Sequence, residues 1–146
     1  MKALLYVADN FQSLQDGKVL AVGLYSDKVV ILNIPIDAPE PSRELPFGIS
    51  LGFLVCLLDL PAEGVSGNIS ILPPSGHALV SPMTFAGPAQ AGRSANIVLA
   101  ANPFLVSEPG VYQVVVDTAD MRISEPFEIR MSRQQSHTVA AVPLAQ

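Results

Sequence analysis

The chain has no tryptophan, a single cysteine and two histidines among its 146 residues. Charged residues make up 14% of it, against roughly 25% in a typical soluble domain. The lone Cys56 excludes an intramolecular disulfide framework and fits a reducing compartment. His77 and His137 are far apart and lack the ligand spacing of a metal site. We therefore predict neither a metal nor a cofactor.

Positive charge is also scarce. Eight Lys and Arg residues against thirteen Asp and Glu residues give a net charge of −5. The phosphate contacts on which nucleic-acid binding depends are hard to assemble from so few, scattered basic residues. We therefore expect no nucleic-acid partner.

Long apolar runs are missing as well. The longest, over residues 49–60, falls short of the ~18–20 residues that a membrane-spanning helix needs. The N-terminal MKALLYVADNF has too short an apolar core for a secretory signal and no A-x-A cleavage site. We expect no membrane partner and no export through a signal peptide.

Proline and glycine are plentiful, at thirteen and ten residues, and occur at strand-and-turn intervals. No window of ten residues shows an apolar period of 3.6. The pattern predicts an all-β, two-layer antiparallel β-sandwich of about eight strands, with immunoglobulin-like or jelly-roll topology. Residues 1–131 form this domain, and residues 132–146, which lack sustained periodicity, form an extended C-terminal tail.

Three local signals place turns and a break. Asp16-Gly17 predicts a tight hairpin between the first two strands, because glycine accepts a positive φ. Pro109-Gly110 suits the two central positions of a type II turn. The strand over residues 94–106 is expected to break at residues 102–103.

Several segments together resemble a known family. They are YVADNFQ, GKVLAVGLYSDKVVILNIP, the apolar central strand, the PPSG corner and EPGVYQVVVD…EPFEI. They resemble a bacterial and bacteriophage β-sandwich family known only as a domain of unknown function, over most of residues 1–131. The closing P-G-x-Y-x-x-x-V element is shared with immunoglobulin-like modules. The resemblance implies a cytoplasmic or virion-associated sandwich and carries no catalytic residues.

One motif points to catalysis. GISLG at 48–52 matches the G-x-S-x-G nucleophile elbow, with Ser50 followed in hydrolase order by Asp117 or Asp120 and then His137. An elbow requires a strand-to-helix turn in an α/β sheet, whereas Ser50 lies among β-forming residues. We therefore predict no enzyme and no catalytic residues, with a serine hydrolase at Ser50 as a remote alternative.

Four aspartates lie near predicted strand ends, where carboxylates suit calcium. They are Asp9, Asp16, Asp27 and Asp59. They do not form a single oxygen-rich loop, and aspartate is a common turn residue. The sequence therefore favours turn formation over a calcium site.

The central strand, over residues 48–60, is apolar on both faces. Only one face of a sandwich sheet is buried, so the other face needs cover. That cover comes either from the connection 35–47 or residues 77–92, or from another subunit. The predicted interface residues are Leu54, Cys56 and Leu58 on the strand and Val139, Val142 and Leu144 in the tail.

The sequence thus favours a non-enzymatic structural or interaction protein. It would self-associate as a homo-oligomer or in a larger assembly such as a phage particle, with the tail as an arm. The alternative is a module that binds a peptide, glycan or small ligand through loops at one end, near residues 16–18, 73–77 and 118–122.

Overall fold

The computed structural model describes residues 1–77, 82–87 and 92–134. Within those residues there is no helix, and so none that could span a membrane. The all-β prediction is confirmed, with nine strands in place of about eight. The strands are β1 (Lys2–Ser13), β2 (Val19–Tyr25), β3 (Val29–Pro35), β4 (Phe47–Leu58), β5 (Val65–Leu72), β6 (Met83–Gly87), β7 (Ala95–Val106), β8 (Gly110–Thr118) and β9 (Arg122–Gln134).

The strands form two sheets with the core between them. The four-stranded sheet has the order β2-β1-β4-β7, and the five-stranded sheet has the order β3-β9-β8-β5-β6. Neighbouring strands are antiparallel in every pair except β3 and β9, which run parallel. The predicted antiparallel sandwich is therefore confirmed with one parallel pair at its edge.

The strand order distinguishes between the two predicted topologies. β4 pairs with β7 in one sheet, while β5, β8 and β9 lie side by side in the other. This matches the B–E and C–F–G pairings of an immunoglobulin-type Greek key. The Tyr112 hydroxyl, near the start of β8, donates to the carbonyl oxygen of Glu108 at 2.6 Å. That bond forms the tyrosine corner found in such sandwiches, so the topology is immunoglobulin-like.

Four aromatic rings fill the centre of the core, and each is less than a tenth exposed. Their ring centroids lie 5.1 to 6.2 Å apart, and most pairs are tilted or edge-on. The rings come from β4, β7, β8 and β9, and therefore from both sheets. They belong to Phe53, Phe104, Tyr112 and Phe127.

The predicted turns are only partly reproduced. Gly17 has a φ of +74° in the hairpin between β1 and β2, as expected. Gly110 has a φ of +128° and already pairs with Ile129 as the first residue of β8, so this corner differs from the predicted type II turn. β7 continues through the cis Asn102-Pro103 bond as one strand, but its pairing with β4 shifts register there, so the predicted break is an irregularity within the strand and does not end it.

The end of β9 is held by the Pro-rich connection. The Arg133 guanidinium donates to the carbonyl oxygens of Pro35, at 3.0 Å, and Ala38, and pairs with Glu40 Oε1 at 2.6 Å. β9 reaches residue 134, so residues 132–134 are strand where the sequence predicted tail. These contacts hold residues 35–40 beside β9, at the edge of the five-stranded sheet and away from β4. Of the other predicted cover for β4, residues 78–81 and 88–91 lie outside the described residues.

Candidate interaction surface

The side of the four-stranded sheet that faces away from the core is mostly apolar, with the uncharged polar residues Asn10, Gln12 and Asn96 among its members. We call it the apolar outer face. Five of its side chains are 41 to 52% exposed, and four more are half-buried. The exposed members are Leu4, Tyr6, Leu20, Val22 and Leu24, and the half-buried ones are Leu54, Cys56, Leu58 and Val98.

Strand register brings these side chains together. Leu4 lies opposite Cys56, and Tyr6 opposite Leu54, across the β1–β4 pair. Leu54 lies in turn opposite Val98 on β7. Directly opposed side chains on one face of a sheet are in contact range. The apolar outer face is therefore continuous from β1 across β4 to β7.

The alternation along β4 agrees with the sequence prediction. Leu54, Cys56 and Leu58 point outward, while the alternate residues of the strand, such as Phe53 and Val55, are at most 1% exposed. Burial raises the pKa of the Cys56 thiol. A raised pKa lowers the fraction of thiolate at neutral pH, which agrees with the expected role of Cys56 as a small apolar side chain on this face. Val139, Val142 and Leu144 lie outside the described residues.

Exposed members on β1 and β2 were missed by the prediction. In β1, Leu4 and Tyr6 point outward while Leu5 and Val7 are buried. This is the same two-faced apolar pattern that singled out β4, and it is legible in the run ALLYV. β2 is also apolar on both faces, and its exposure follows from its position at the edge of the four-stranded sheet, which the sequence does not show.

The two sheets differ in the charge on their outer faces. The five-stranded sheet carries an Arg130–Glu128 ion pair at 2.9 Å and an Arg122–Asp117 pair at 3.8 Å. The hydrogen bond from Arg130 lowers the pKa of Glu128. The four strands of the other sheet contain only Lys2 and Asp9 as charged residues.

Both of those charges lie away from the centre of the apolar outer face. Lys2 lies opposite Leu58, at the first position of the β1–β4 pairing. Asp9 accepts a hydrogen bond from the Tyr25 hydroxyl at 2.7 Å. Burial and the Asp9 carboxylate together raise the pKa of Tyr25 to about 12, so this phenol remains a donor at neutral pH. The middle of the face is uncharged.

The residues of the hydrolase hypothesis are not brought together. Ser50 lies inside β4 at the register shift with β7, and its hydroxyl is 3.5 Å from the Asp9 carbonyl oxygen. Asp117 is on the other sheet, beside the loop 118–121. That loop shares a concavity with Asp59, which follows the far end of β4. Ser50 and Asp117 therefore lie at opposite ends of the sandwich, and His137 is outside the described residues.

The four aspartates behave as turn or surface residues. Asp27 Oδ1 accepts the Val29 amide at 3.1 Å, and the Asp16 carboxylate lies 4.0 Å from Lys18 Nζ. Asp59 has a φ of +55° immediately after β4. Within residues 1–77, 82–87 and 92–134, no three His, Cys, Asp or Glu side chains are grouped to hold a metal ion.

The loops of the alternative binding hypothesis do not share one end. In the antiparallel β5–β8 pair, Leu72 lies opposite Gln113 and Asn68 opposite Asp117. The corner 73–76 therefore lies at the start of β8 and the loop 118–121 at its end. The prediction that these loops form one cluster is wrong, because β5 and β8 run antiparallel. His77, Arg43 and Glu108 line a separate concavity beside the 73–76 corner.

Comparison with known proteins adds little. No protein-family model matches the chain, and no curated protein matches it. One similar solved structure is a family 123 glycoside hydrolase from Clostridium perfringens, at 11% sequence identity and a TM-score of 0.36. The alignment covers 92% of this chain and 28% of that enzyme. A likeness this weak carries no argument about function.

Proposed function

We propose that this protein is a non-enzymatic structural or interaction protein that self-associates by placing the apolar outer face against a second copy. The observation that carries the proposal is the contrast between two outer faces, one apolar and almost uncharged, the other bearing ion pairs. Exposed contiguous apolar patches on soluble proteins commonly mark interaction sites. The cytoplasmic or virion setting implied by the family resemblance is part of the proposal.

The size of the face suits a subunit contact. Four strands spaced about 4.8 Å apart and seven residues rising about 3.3 Å each give a footprint of roughly 440 Å². A standard interface buries about 800 Å² per partner, and the largest patch on an ordinary monomer is about 300–600 Å². The face is therefore as large as the largest patch on an ordinary monomer, and its footprint is about half of one partner's share of a standard interface.

A second copy is the partner because the face is compatible with itself. In a two-fold symmetric contact the same patch lies on both subunits. Lys2 is at one margin and Asp9 is bonded to Tyr25, so stacking two copies brings no like charges together at the centre. A partner with a charged surface would instead leave its own charges desolvated without pairs.

Light scattering on two matched variants tests the proposal. Leu24 is 52% exposed on the apolar outer face, and Ile31 is 56% exposed on β3 of the other sheet. Leu24→Lys should lower the native mass of the protein, while Ile31→Lys should leave the mass of the wild type. Both sites are on edge strands and exposed, so far-UV circular dichroism should show the same β-sheet signal in all three proteins.

Two results contradict the proposal. One is a wild type that has the mass of a single chain at both of two well-separated protein concentrations. The other is an oligomeric wild type whose mass falls equally with Leu24→Lys and Ile31→Lys, since that would point to a general effect of added charge.

A further inference from the structure

A cleft opens along one side of the sandwich. On that side the sheets end at β7 and β6, and a cavity of about 100 Å³ lies between them. Its inner wall includes the core rings Phe53, Phe104 and Tyr112, and its rims include Ile71 on β5 and Ala101 on β7. The twelve lining residues within the described part of the chain are all uncharged. The space suits one or two aliphatic side chains.

The strands beside the cleft have open edges within the described part of the chain. β6 begins at Met83, opposite Ile69, so residues 70–72 of β5 pair only with β8. β7 pairs only with β4 and contains no charged residue along its length. Open edges direct the N–H and C=O groups of alternate residues outward, which an added strand satisfies. The cleft thus combines an apolar pocket with strand edges that can accept a partner.

We propose that residues 138–146 of a second copy enter this cleft as an added strand, with the side chains of Val142 and Leu144 inside it. The segment TVAAVPLAQ is uncharged, as the cleft is. Residues 142 and 144 share one face in an extended strand. Pro143 between them lacks an amide donor, which is tolerated on an edge strand. The inference rests on the proposed self-association but uses a different surface.

The position at which β9 ends favours a second copy, and not the same chain, as the source of this segment. Arg133 holds the end of β9 beside Pro35, at the edge of the five-stranded sheet opposite β6. Ile71 on β5 lies opposite Val114 on β8, which lies opposite Glu125 on β9. Gln134 is nine residues beyond Glu125, about 30 Å along the strand, and the three strand spacings from β9 to the cleft add about 14 Å sideways.

Val142 follows Gln134 by eight residues, which span at most about 29 Å when fully extended, less than this path of roughly 33 Å. In the same chain, Val142 would therefore fall short of the cleft. A second copy has no such limit and can present the whole of residues 138–146.

Disulfide trapping between two different single-cysteine proteins tests this directly. Both carry Cys56→Ser, one with Met83→Cys at the rim of the cleft, where the native side chain is 50% exposed, and the other with Leu144→Cys. On mild oxidation of the mixture we expect a mixed dimer. The matched control is Ala145→Cys, whose side chain faces away from Leu144, and its mixed dimer should form on the order of tenfold more slowly.

Other outcomes overturn the inference. If Leu144→Cys and Ala145→Cys cross-link at equal rates, or neither does, the segment does not seat in the cleft. If a Met83→Cys/Leu144→Cys double variant closes an internal disulfide and the mixture forms none, the chain fills its own cleft. If the wild type has the mass of a single chain, both this inference and the proposed self-association are wrong. If no mixed dimer forms but Leu24→Lys still dissociates the oligomer, only this inference is wrong.

Discussion

Replacing Tyr112 with Phe removes one hydroxyl from the corner that joins β7 to β8. The side chain is 2% exposed, and its hydroxyl donates to the Glu108 carbonyl at 2.6 Å. A typical hydrogen bond contributes about 1 kcal/mol net, and a partly buried carbonyl left without a donor adds to the cost. We expect Tyr112→Phe to lower the free energy of unfolding by about 1–2 kcal/mol. For a chain of this size the melting temperature should fall by about 3–6 °C.

The same substitution should change how stability depends on pH. Burial raises the pKa of Tyr112 from its ordinary 10.0 to about 12. Since the folded pKa is above the unfolded one, the stabilisation by the neutral hydroxyl is complete below pH 10 and is lost between pH 10 and 12. Phe has no such titration, so the gap between the two proteins should narrow by about 1 kcal/mol at pH 11, allowing for some solvent screening. Tyr25 titrates in both proteins and cancels.

Urea unfolding followed by far-UV circular dichroism measures both effects at one fixed protein concentration. Ile31→Val is the control, because Ile31 is 56% exposed on β3, away from the apolar outer face, and this substitution should change the free energy of unfolding by less than about 0.5 kcal/mol. The reasoning fails if Tyr112→Phe is as stable as the wild type at pH 7, or if the gap stays constant from pH 7 to pH 11.

Three further substitutions or probes test the core and the outer face. Phe53→Ala removes a ring that is 0% exposed and should cost about 3–5 kcal/mol in a urea melt; a cost below 1 kcal/mol would contradict the packing. Gly67→Ala places a Cβ in steric overlap with the Asp117 carbonyl oxygen, so it should lower the free energy of unfolding by at least about 2 kcal/mol or displace β5 from β8, detectable as faster amide exchange in β5. Cys56 should react with iodoacetamide at pH 8 more slowly than a free peptide thiol, and unfolding in urea should abolish the difference.

The apolar outer face was predicted only in part from the local sequence pattern. The alternation in β4 identified Leu54, Cys56 and Leu58 as the outward residues, because side chains alternate along any strand. The extension of the face over β1 and β2 was not predicted. It depends on Leu4 and Tyr6 lying opposite β4 residues, which is a matter of pairing between strands about 50 residues apart in the chain.

The open edge of β7, seen within the described residues, also depends on which distant strands pair. A sequence can mark β7 as an uncharged strand, but whether one side of it is unpaired depends on its position in the sheet. The hydrolase hypothesis for Ser50 is not supported for a related reason. The order of residues along the chain matched the motif, but Asp117 lies on the other sheet at the other end of the sandwich. Catalytic arrangements are defined by geometry, and chain order alone does not supply it.

The sequence by itself determined the class of fold, because strand alternation, hairpin glycines and the absence of a helical period are local properties of neighbouring residues. It also determined the low charge that leaves one face of the sandwich apolar. Only the tertiary structure decided the immunoglobulin-like strand order, the parallel β3–β9 pair and the separation of the 73–76 and 118–121 loops. Those features depend on which distant strands meet, and the free energy that selects them comes from burying the whole core at once.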